Sequence, residues 1–150
     1  MITATRYHDF SAGHKVTGHE DKCARLHGHN YRVHFTIESI GSPQVFASLD
    51  KLGRVLDFSE IKERLCDWLE REWDHRFLIK EDDPGAVFLN RMFPDDMVLT
   101  EFNPTAENMA RYLVEVVAPE ALHGTGCRLI RCTVEETRKC AATVEVWNDQ

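Results

Sequence analysis

The chain has 150 residues, 43% hydrophobic and 29% charged, a composition typical of one globular domain that spans residues 1–150. Its net charge of −7 disfavours a broad surface for nucleic acid or an anionic membrane, so neither partner is expected. The N-terminus has no apolar signal region, and five cysteines are an odd number for a disulfide framework. We therefore expect a cytoplasmic protein with reduced thiols.

The first elements along the chain are predicted to be two strands. The stretch from Ile2 to Lys15 partly alternates, and "HNYRVHFTIES" alternates apolar and polar residues as a half-buried strand does. His27 and His29 share the parity of its apolar positions, so both imidazoles are expected to project inward if the strand begins there. The charged segment between the strands, "GHEDKCARLHG", is predicted to be a loop and contains Cys23.

Two helices are predicted to follow. "DFSEIKERLCDWLEREW" has a capping-box-like start at Asp57 and one apolar stripe at helical spacing. The second helix begins at "NPTAEN", where Pro104 and Thr105 form the entry signal, and Pro119 is expected to help end it. The connection over residues 80–102 has an apolar middle, and no pattern assigns it to a helix or a strand.

The end of the chain is predicted to be a hairpin, in which "CRLIRCTVEET" and "AATVEVW" flank a turn near Arg138 to Cys140. The resulting order, ββααββ, predicts an α+β fold with a four-stranded antiparallel sheet and two helices on one face. Such a sheet has two exposed edges, and pairing with neighbouring subunits is one way to cover them.

Three histidines are candidates for a metal site. His14 ends the first strand and His27 and His29 begin the second, so pairing of the strands would bring the three imidazoles together. Three such ligands with an open fourth position suit zinc. By spacing alone, Cys23 is either a fourth ligand of a closed site or a free thiol beside an open one. The alternative is that the histidines are ordinary polar residues.

Two further features of the sequence are candidates for a chemical role. Asp74 lies beside His75 just after the first helix, and the pair would form a proton relay if the fold brings it to the metal. An ordinary surface pair is the alternative. Glu136 shares the parity of Ile130 and Cys132 on the apolar face of its strand, where a carboxylate needs a partner such as a ring edge with adjacent N–H donors. Otherwise it is a strand-end glutamate that turns to solvent.

Six motifs together resemble one known family. "FSAGHKV", "CARLHGHNY", "LDFSEIK", "WDHRFL", "NPTAEN" and "VEET" occur in the order seen in the 6-pyruvoyltetrahydropterin synthase / 6-carboxytetrahydropterin synthase family. The three-residue gap between Cys23 and His27 resembles the bacterial 6-carboxy-5,6,7,8-tetrahydropterin synthases of queuosine biosynthesis. The chain departs from them in its longer 80–102 connection and in "DHR", where some members carry "DHH".

The resemblance implies a tunnelling fold (T-fold), in which trimers pair into a homohexamer with active sites at subunit interfaces. It implies that His14, His27 and His29 bind Zn²⁺. It also implies that Cys23 is the catalytic base and not a metal ligand.

The remaining site residues follow from the same resemblance. Asp74 and His75 would complete the proton relay. Glu136, the glutamate that precedes threonine in "EET", would anchor the N–H edge of the pterin ring, with Thr105 nearby.

The implied reaction is the zinc-dependent conversion of 7,8-dihydroneopterin triphosphate to 6-carboxy-5,6,7,8-tetrahydropterin, with release of acetaldehyde and triphosphate. Lys15, Lys22 and Arg25 are candidates for contacts with the triphosphate. Three alternatives stay open: a 6-pyruvoyltetrahydropterin synthase, which keeps the three-carbon side chain; a non-catalytic zinc-stabilised pterin-binding module; and a paralogue of the same fold that acts on another pterin or only binds one.

Overall fold

A computed structural model describes residues 1–40 and 49–146, and its central element is a six-stranded mixed sheet. The strands are β1 (Thr3–Lys15), β2 (His27–Ser39), β3 (Phe77–Lys80), β4 (Met97–Thr100), β5 (Cys127–Thr137) and β6 (Cys140–Glu145). Their order across the sheet is β4-β3-β1-β2-β5-β6. The four long strands are antiparallel, and the predicted hairpin is β5–β6.

Within residues 1–40 and 49–146, five α-helical segments accompany the sheet. They are α1 (Phe58–Ile61), α2 (Asp67–Glu72), α3 (Ala86–Met92), α4 (Ala106–Tyr112) and α5 (Ala118–Ala121). A π-helical stretch, Lys62–Cys66, joins α1 to α2, and a second, Leu113–Val117, joins α4 to α5. Each of the two predicted helices is therefore continuous. The Asp57 carboxylate and the Thr105 hydroxyl cap their N-termini by accepting backbone N–H groups of the first turn.

The prediction of a four-stranded antiparallel sheet is wrong in strand number and direction. β3 runs parallel to β1, and β4 runs parallel to β3, with α3 as the connection between β3 and β4. Both added strands have only four residues, which is too short for an alternating pattern to identify them. Parallel neighbours also need a crossover, and this crossover occupies the connection that the sequence left unassigned.

The expectation that Pro119 ends the second helix is also wrong, since α5 continues through it to Ala121. Pro119 lies in the first turn of α5, directly after the π-helical stretch. Proline is accommodated inside the continuous helix because the preceding turn is a widened π-helical one, which ends with the Ala118 N–H donating to the Leu113 carbonyl and leaves room for the proline ring.

The main core lies between the sheet and the two long helices. Phe10, Val33 and Phe35 are buried on one face of the sheet, against helical residues such as Leu65 and Met109. The opposite face of the same strands is polar. A smaller apolar cluster holds α3 against β3 and β4. Within residues 1–40 and 49–146, no helix is long and apolar enough to cross a membrane.

A register shift in β5 alters which of its residues face the core. The pairing of β2 with β5 slips between Leu129 and Arg131, so Leu129 is buried and Ile130 is only partly buried. The predicted shared parity of Ile130 with Glu136 is therefore wrong. Cys132 and Val134 lie beyond the shift, and both are fully buried.

Candidate active site

Pairing of β1 with β2 brings the three predicted histidines together on the helix-covered face of the sheet. His14 lies opposite His27, and Ala12 lies opposite His29. One nitrogen from each of the three rings lies within 4.8 Å of the others. His14 is 1% exposed, whereas the other two imidazoles are half-buried. The cluster therefore has one closed side and one side that opens outward.

Two glycines allow the strands to approach at this point. Gly13 and Gly28 lie opposite each other, each next to a histidine of the cluster. A Cβ on Gly28 would lie 2.9 Å from the carbonyl oxygen of Ala12, and one on Gly13 would lie 2.3 Å from Cδ2 of Phe77. A side chain at Gly28 would push β2 away from β1, and one at Gly13 would displace the ring of Phe77, so the two glycines allow the close strand approach beside the imidazoles.

Backbone carbonyls determine the direction in which two of the rings present their lone pairs. The Nδ1–H of His14 donates to the carbonyl oxygen of Pro104 across 2.6 Å, and the Nδ1–H of His27 donates to that of Arg25 across 2.7 Å. Both neutral rings then carry their lone pair on Nε2, yet these two Nε2 atoms are 3.0 Å apart. Neither has a proton to share, so the contact is repulsive unless a cation lies against both nitrogens.

His29 supplies the third nitrogen. Its Nε2 is buried, has no hydrogen-bond partner in the described part of the chain, and lies 3.4 Å from Oε1 of Glu136. Burial lowers the pKa of His14 and also that of His29, which favours the neutral form that binds metals. The cluster could therefore hold a metal ion, and its all-imidazole donor set with room for a further ligand fits zinc.

Cys23 lies close to the cluster but is not part of it. It sits in a single turn of 3₁₀-helix, Lys22–Ala24, and its backbone carbonyl accepts the N–H of Val16 across 2.9 Å. Its thiol is half-buried and is not one of the converging ligand atoms in the described part of the chain. The geometry therefore groups the three histidines without the cysteine.

Tyr31 is a site residue that sequence reasoning treated only as part of the core. It is 1% exposed, and its ring packs edge-on against those of His14 and His29, with centroid distances of 5.9 and 5.5 Å. Its buried hydroxyl has no partner among the described residues. Burial, together with negative charge on Glu136 and Cys23, raises the pKa of Tyr31 well above its ordinary value. The sequence signal that could have identified Tyr31 as a site residue is its parity with His27 and His29 on β2, which places the three side chains on the same face.

The Asp74–His75 pair is tied to β1. The Ser11 N–H donates to Oδ1 of Asp74 across 3.0 Å, and the His75 N–H donates to the Ser11 carbonyl across 2.7 Å. His75 Nδ1 donates to Oδ2 of Asp74 across 2.7 Å, which leaves its Nε2 free to accept a proton. Burial raises the pKa of Asp74, but the hydrogen bonds from Ser11 and His75 outweigh it, so this pKa lies below its ordinary value.

Two grooves connect the pair with the histidine cluster. One, of about 1080 Å³, is lined by His29, Asp74, His75 and Glu136, and the other, of about 840 Å³, by His27, His29 and His75. The side chain of His75 is 81% exposed. The concave surface beside the cluster therefore contains a free imidazole nitrogen, a carboxylate and the candidate metal ligands.

The two neighbouring glutamates of β5 have different environments. Glu136 faces the cluster and lies beside His29. Glu135 lies on the opposite face of the sheet, where its Oε1 is 2.6 Å from Nε2 of His34. Both glutamates border the larger groove, but Glu136 is the one that lies against a histidine of the cluster, whereas the carboxylate of Glu135 is paired with His34.

Two other predicted residues are engaged elsewhere. The Thr105 hydroxyl accepts the N–H of Asn108 across 3.3 Å as the cap of α4, and Thr105 does not line either groove. Lys15 Nζ contacts both carboxylate oxygens of Asp83, at 3.0 and 2.8 Å. Lys15 therefore already has a counter-ion.

Comparison with known proteins identifies the family. The sequence model described as 6-pyruvoyl tetrahydropterin synthase matches residues 3–146. The chain belongs to this family. Its relatives include the 6-carboxy-5,6,7,8-tetrahydropterin synthases of Rickettsia felis and Rickettsia typhi, each 32% identical over 145 residues, which is 96% of this chain and 100% of each relative.

Two solved structures share the fold of this chain. An uncharacterized protein from Wolinella succinogenes superposes with a TM-score of 0.78 at 23% identity, covering 96% of this chain and 97% of its own. The Caenorhabditis elegans 6-pyruvoyl tetrahydropterin synthase gives 0.66 at 23% identity, with coverage of 97% and 96%. Membership of the pterin synthase family makes the chain an enzyme of pterin chemistry.

Proposed function

We propose that the chain is a 6-carboxy-5,6,7,8-tetrahydropterin synthase of queuosine biosynthesis. It would convert 7,8-dihydroneopterin triphosphate to the 6-carboxy product, with release of acetaldehyde and triphosphate. The observation that supports this best is the convergence of three imidazole nitrogens within 4.8 Å, beside grooves that contain a free base and a carboxylate. The names of the Rickettsia relatives favour the carboxy-forming activity.

The proposed cofactor is Zn²⁺, held by His14, His27 and His29. When bound, it supplies Lewis-acid polarisation of the side-chain oxygens of the substrate. The chain contributes the orientation of the three rings, through the carbonyl of Pro104 for His14 and that of Arg25 for His27.

Proton transfer is assigned to two groups. Cys23 would act as the base at the side-chain carbons of the pterin, because a thiolate beside a cation is favoured and reactive. Asp74 holds His75 in the tautomer whose Nε2 is free, so this imidazole can exchange a proton during the reaction. His75 is open to solvent, so it could serve a site shared with a neighbouring subunit.

Recognition of the pterin ring is assigned to Glu136. A carboxylate accepts two adjacent N–H donors of a planar ring edge in a geometry that defines the ring's orientation. Glu136 is the glutamate that faces the histidine cluster, whereas Glu135 is paired with His34 on the other face. Thr105 would contribute from the start of α4 through its hydroxyl proton, because its N–H donates to the Asn103 carbonyl, its carbonyl accepts the Met109 N–H, and the capping hydroxyl oxygen acts only as an acceptor.

The proposed assembly is a homohexamer of two trimers, with active sites at subunit interfaces. β3 pairs with β1 only over Gly13–Lys15, so the preceding part of β1 has one edge that no described strand pairs with. β6 is the last strand of the sheet among the described residues. Edges of this length are normally covered, and pairing of β6 with β1 of a neighbouring copy would cover both.

A 6-pyruvoyltetrahydropterin synthase is the alternative enzyme, because the matching family model and the Caenorhabditis elegans neighbour carry that name. Mass spectrometry of the products from 7,8-dihydroneopterin triphosphate, with and without prior chelation, separates the two. Acetaldehyde and the 6-carboxy product, both lost on chelation, would support the proposal. A pyruvoyl product would assign the alternative activity.

A metal-stabilised binding module without catalysis is the third possibility. In the cobalt-substituted protein, a thiolate-to-cobalt charge-transfer band would mean that Cys23 closes the coordination sphere. Its absence, with the visible bands of a site with three nitrogen ligands, would support the open site that a reaction needs.

A further inference from the structure

Thr17 is held by Asp83, near the start of the connection over residues 80–102, and by Asn103, the residue that directly follows this connection. Its N–H donates to Oδ1 of Asn103 across 2.8 Å, and Nδ2 of Asn103 donates to the Thr17 carbonyl across 2.9 Å. Its hydroxyl donates to Oδ2 of Asp83 across 2.7 Å. Both backbone groups and the side chain of Thr17 are therefore engaged.

Asp83 is the more deeply buried of the two anchors. Its side chain is inaccessible to solvent and accepts hydrogen bonds from Lys15 and from the N–H of Gly85, in addition to Thr17. A buried carboxylate satisfied by a cation and several donors resists displacement, because any movement leaves a charge without partners. Asp83 thus holds the start of the connection against the end of β1.

The Asn103 amide connects this anchor to the candidate metal ligand. Asn103 directly precedes Pro104, whose carbonyl accepts the Nδ1–H of His14. Thr17 lies three residues after His14 on the same segment. One amide group therefore fixes the distance between the two chain segments that carry the donor and the acceptor of the His14 hydrogen bond.

We propose that Asp83 and Asn103 are positioning residues, which clamp Thr17 so that His14 stays in the tautomer that presents Nε2 to the metal. This inference rests on the metal site of the proposed function. Without the clamp, the carbonyl of Pro104 can move away from Nδ1. The proton can then shift to Nε2, which removes the lone pair that a metal needs.

The clamp also explains what the long connection contributes. Its first turn supplies Asp83, its last residues lead into Asn103, and β3, α3 and β4 lie between them. The adjacent Val16 N–H donates to the Cys23 carbonyl across 2.9 Å. The segment that Asp83 and Asn103 hold in place is therefore also bonded to the turn that contains Cys23. The hydrogen bonds of Asp83 and Asn103 to Thr17 would therefore help to position both a metal ligand, His14, and the proposed base, Cys23.

The first test uses the metal-free full-length protein and does not depend on activity. Long-range ¹H–¹⁵N spectra of histidine-labelled protein report which ring nitrogen carries the proton. Wild type should show His14 as the single Nδ1–H tautomer. Asn103→Ala should show a mixture of both tautomers, or predominantly Nε2–H.

The second test measures metal affinity by competition between the protein and a chromophoric chelator for Zn²⁺ and Co²⁺. Loss of an outer partner of a ligating histidine lowers affinity by about 10- to 100-fold, so this range is expected for Asn103→Ala. Thr17→Val, which removes only the hydroxyl bond to Asp83, should give a smaller decrease and serves if Asn103→Ala does not fold. Glu38→Ala is the control, because it removes a buried residue bonded to Arg128 at the far end of β2.

The outcomes separate the inference from the proposed function. The inference would be overturned if folded Asn103→Ala and Thr17→Val had the same His14 tautomer as wild type and a zinc affinity within about twofold of the wild-type value. An equal loss of affinity in Glu38→Ala would also overturn it, since a general loss of stability would then explain the result. If wild type binds neither metal, the proposed function fails, and the tautomer spectra still decide whether Asn103 orients His14.

Discussion

His14 and Pro104 are ninety residues apart in the chain, and the Nδ1–H of one donates to the carbonyl oxygen of the other across 2.6 Å. This bond links the end of β1 to the start of α4. It directs Nε2 of a fully buried imidazole toward two further histidines. The candidate metal site is therefore a product of the sheet and of the helix entry together.

Cys23→Ala should keep the metal and lose turnover. The three imidazoles converge without the sulfur, so removal of the thiol leaves the ligand set complete. Loss of a group that transfers protons is expected to lower kcat by about 10²- to 10⁴-fold. Metal content by mass spectrometry and kcat on the pterin triphosphate check both parts. A variant that no longer retains metal would instead indicate a closed site with one sulfur ligand.

Glu136→Ala should weaken pterin binding, because the ring's N–H donors would lose a charged acceptor. Hydrogen bonds to charged groups are worth about 1.5–3 kcal/mol, which corresponds to roughly 10- to 150-fold in Kd. Fluorescence titration with a non-reactive pterin measures this change. Glu135→Ala is the matched control, since Glu135 borders the same groove but its carboxylate is paired with His34 and not directed at the histidine cluster. Equal affinities of the two variants would remove Glu136 from the pocket.

Gly28→Ala should lower both stability and metal affinity. The added methyl group would lie 2.9 Å from the carbonyl oxygen of Ala12, so β1 and β2 must separate beside His27 and His29. Overpacking of this kind costs about 1–3 kcal/mol in the free energy of unfolding. Gly53→Ala is a suitable control, because its φ of 83° strains the backbone in open space outside the candidate site. It should destabilise the protein by chemical denaturation while metal affinity stays unchanged.

Tyr31→Phe should stabilise the metal-free protein. The hydroxyl is buried without a hydrogen-bond partner among the described residues, and such a group costs about 1–3 kcal/mol. Phenylalanine keeps the ring contacts with His14 and His29. Urea unfolding of both proteins in the presence of a chelator measures the difference. A clear decrease in stability would show that the hydroxyl has a partner in solution.

Asp74→Asn should destabilise the fold at neutral pH but not in strong acid. The pKa of Asp74 is lower in the folded protein than its unfolded value of about 3.9, so the carboxylate stabilises the fold above that pH. This stabilisation is lost as the pH falls through the lower folded pKa. Denaturant unfolding of wild type and variant at several pH values should show their difference shrinking below pH 4 or so. A pH-independent difference would mean that the charge is not responsible.

Local patterns in the sequence were sufficient to predict much of the fold. The alternation of β2 correctly put His27 and His29 on the inward face, in phase with Tyr31, because successive side chains of a strand point to opposite sides. Asp57 and Thr105 marked the two helix starts, since a cap is a contact within one turn. These features depend only on residues close in the chain, and the sequence carries them directly.

Other features exist only because distant segments meet. β3 and β4 are four-residue strands whose identity depends on parallel neighbours, and the shift that turns Ile130 away from the core depends on the pairing of β5 with β2. The Pro104 carbonyl and the Asp83 carboxylate leave no signature in a single sequence, because a backbone acceptor or a lone aspartate is common in any chain. The sequence by itself determined which residues were candidates for the site. The tertiary structure decided which atoms orient them, since hydrogen bonds across up to ninety residues depend on how the chain closes on itself.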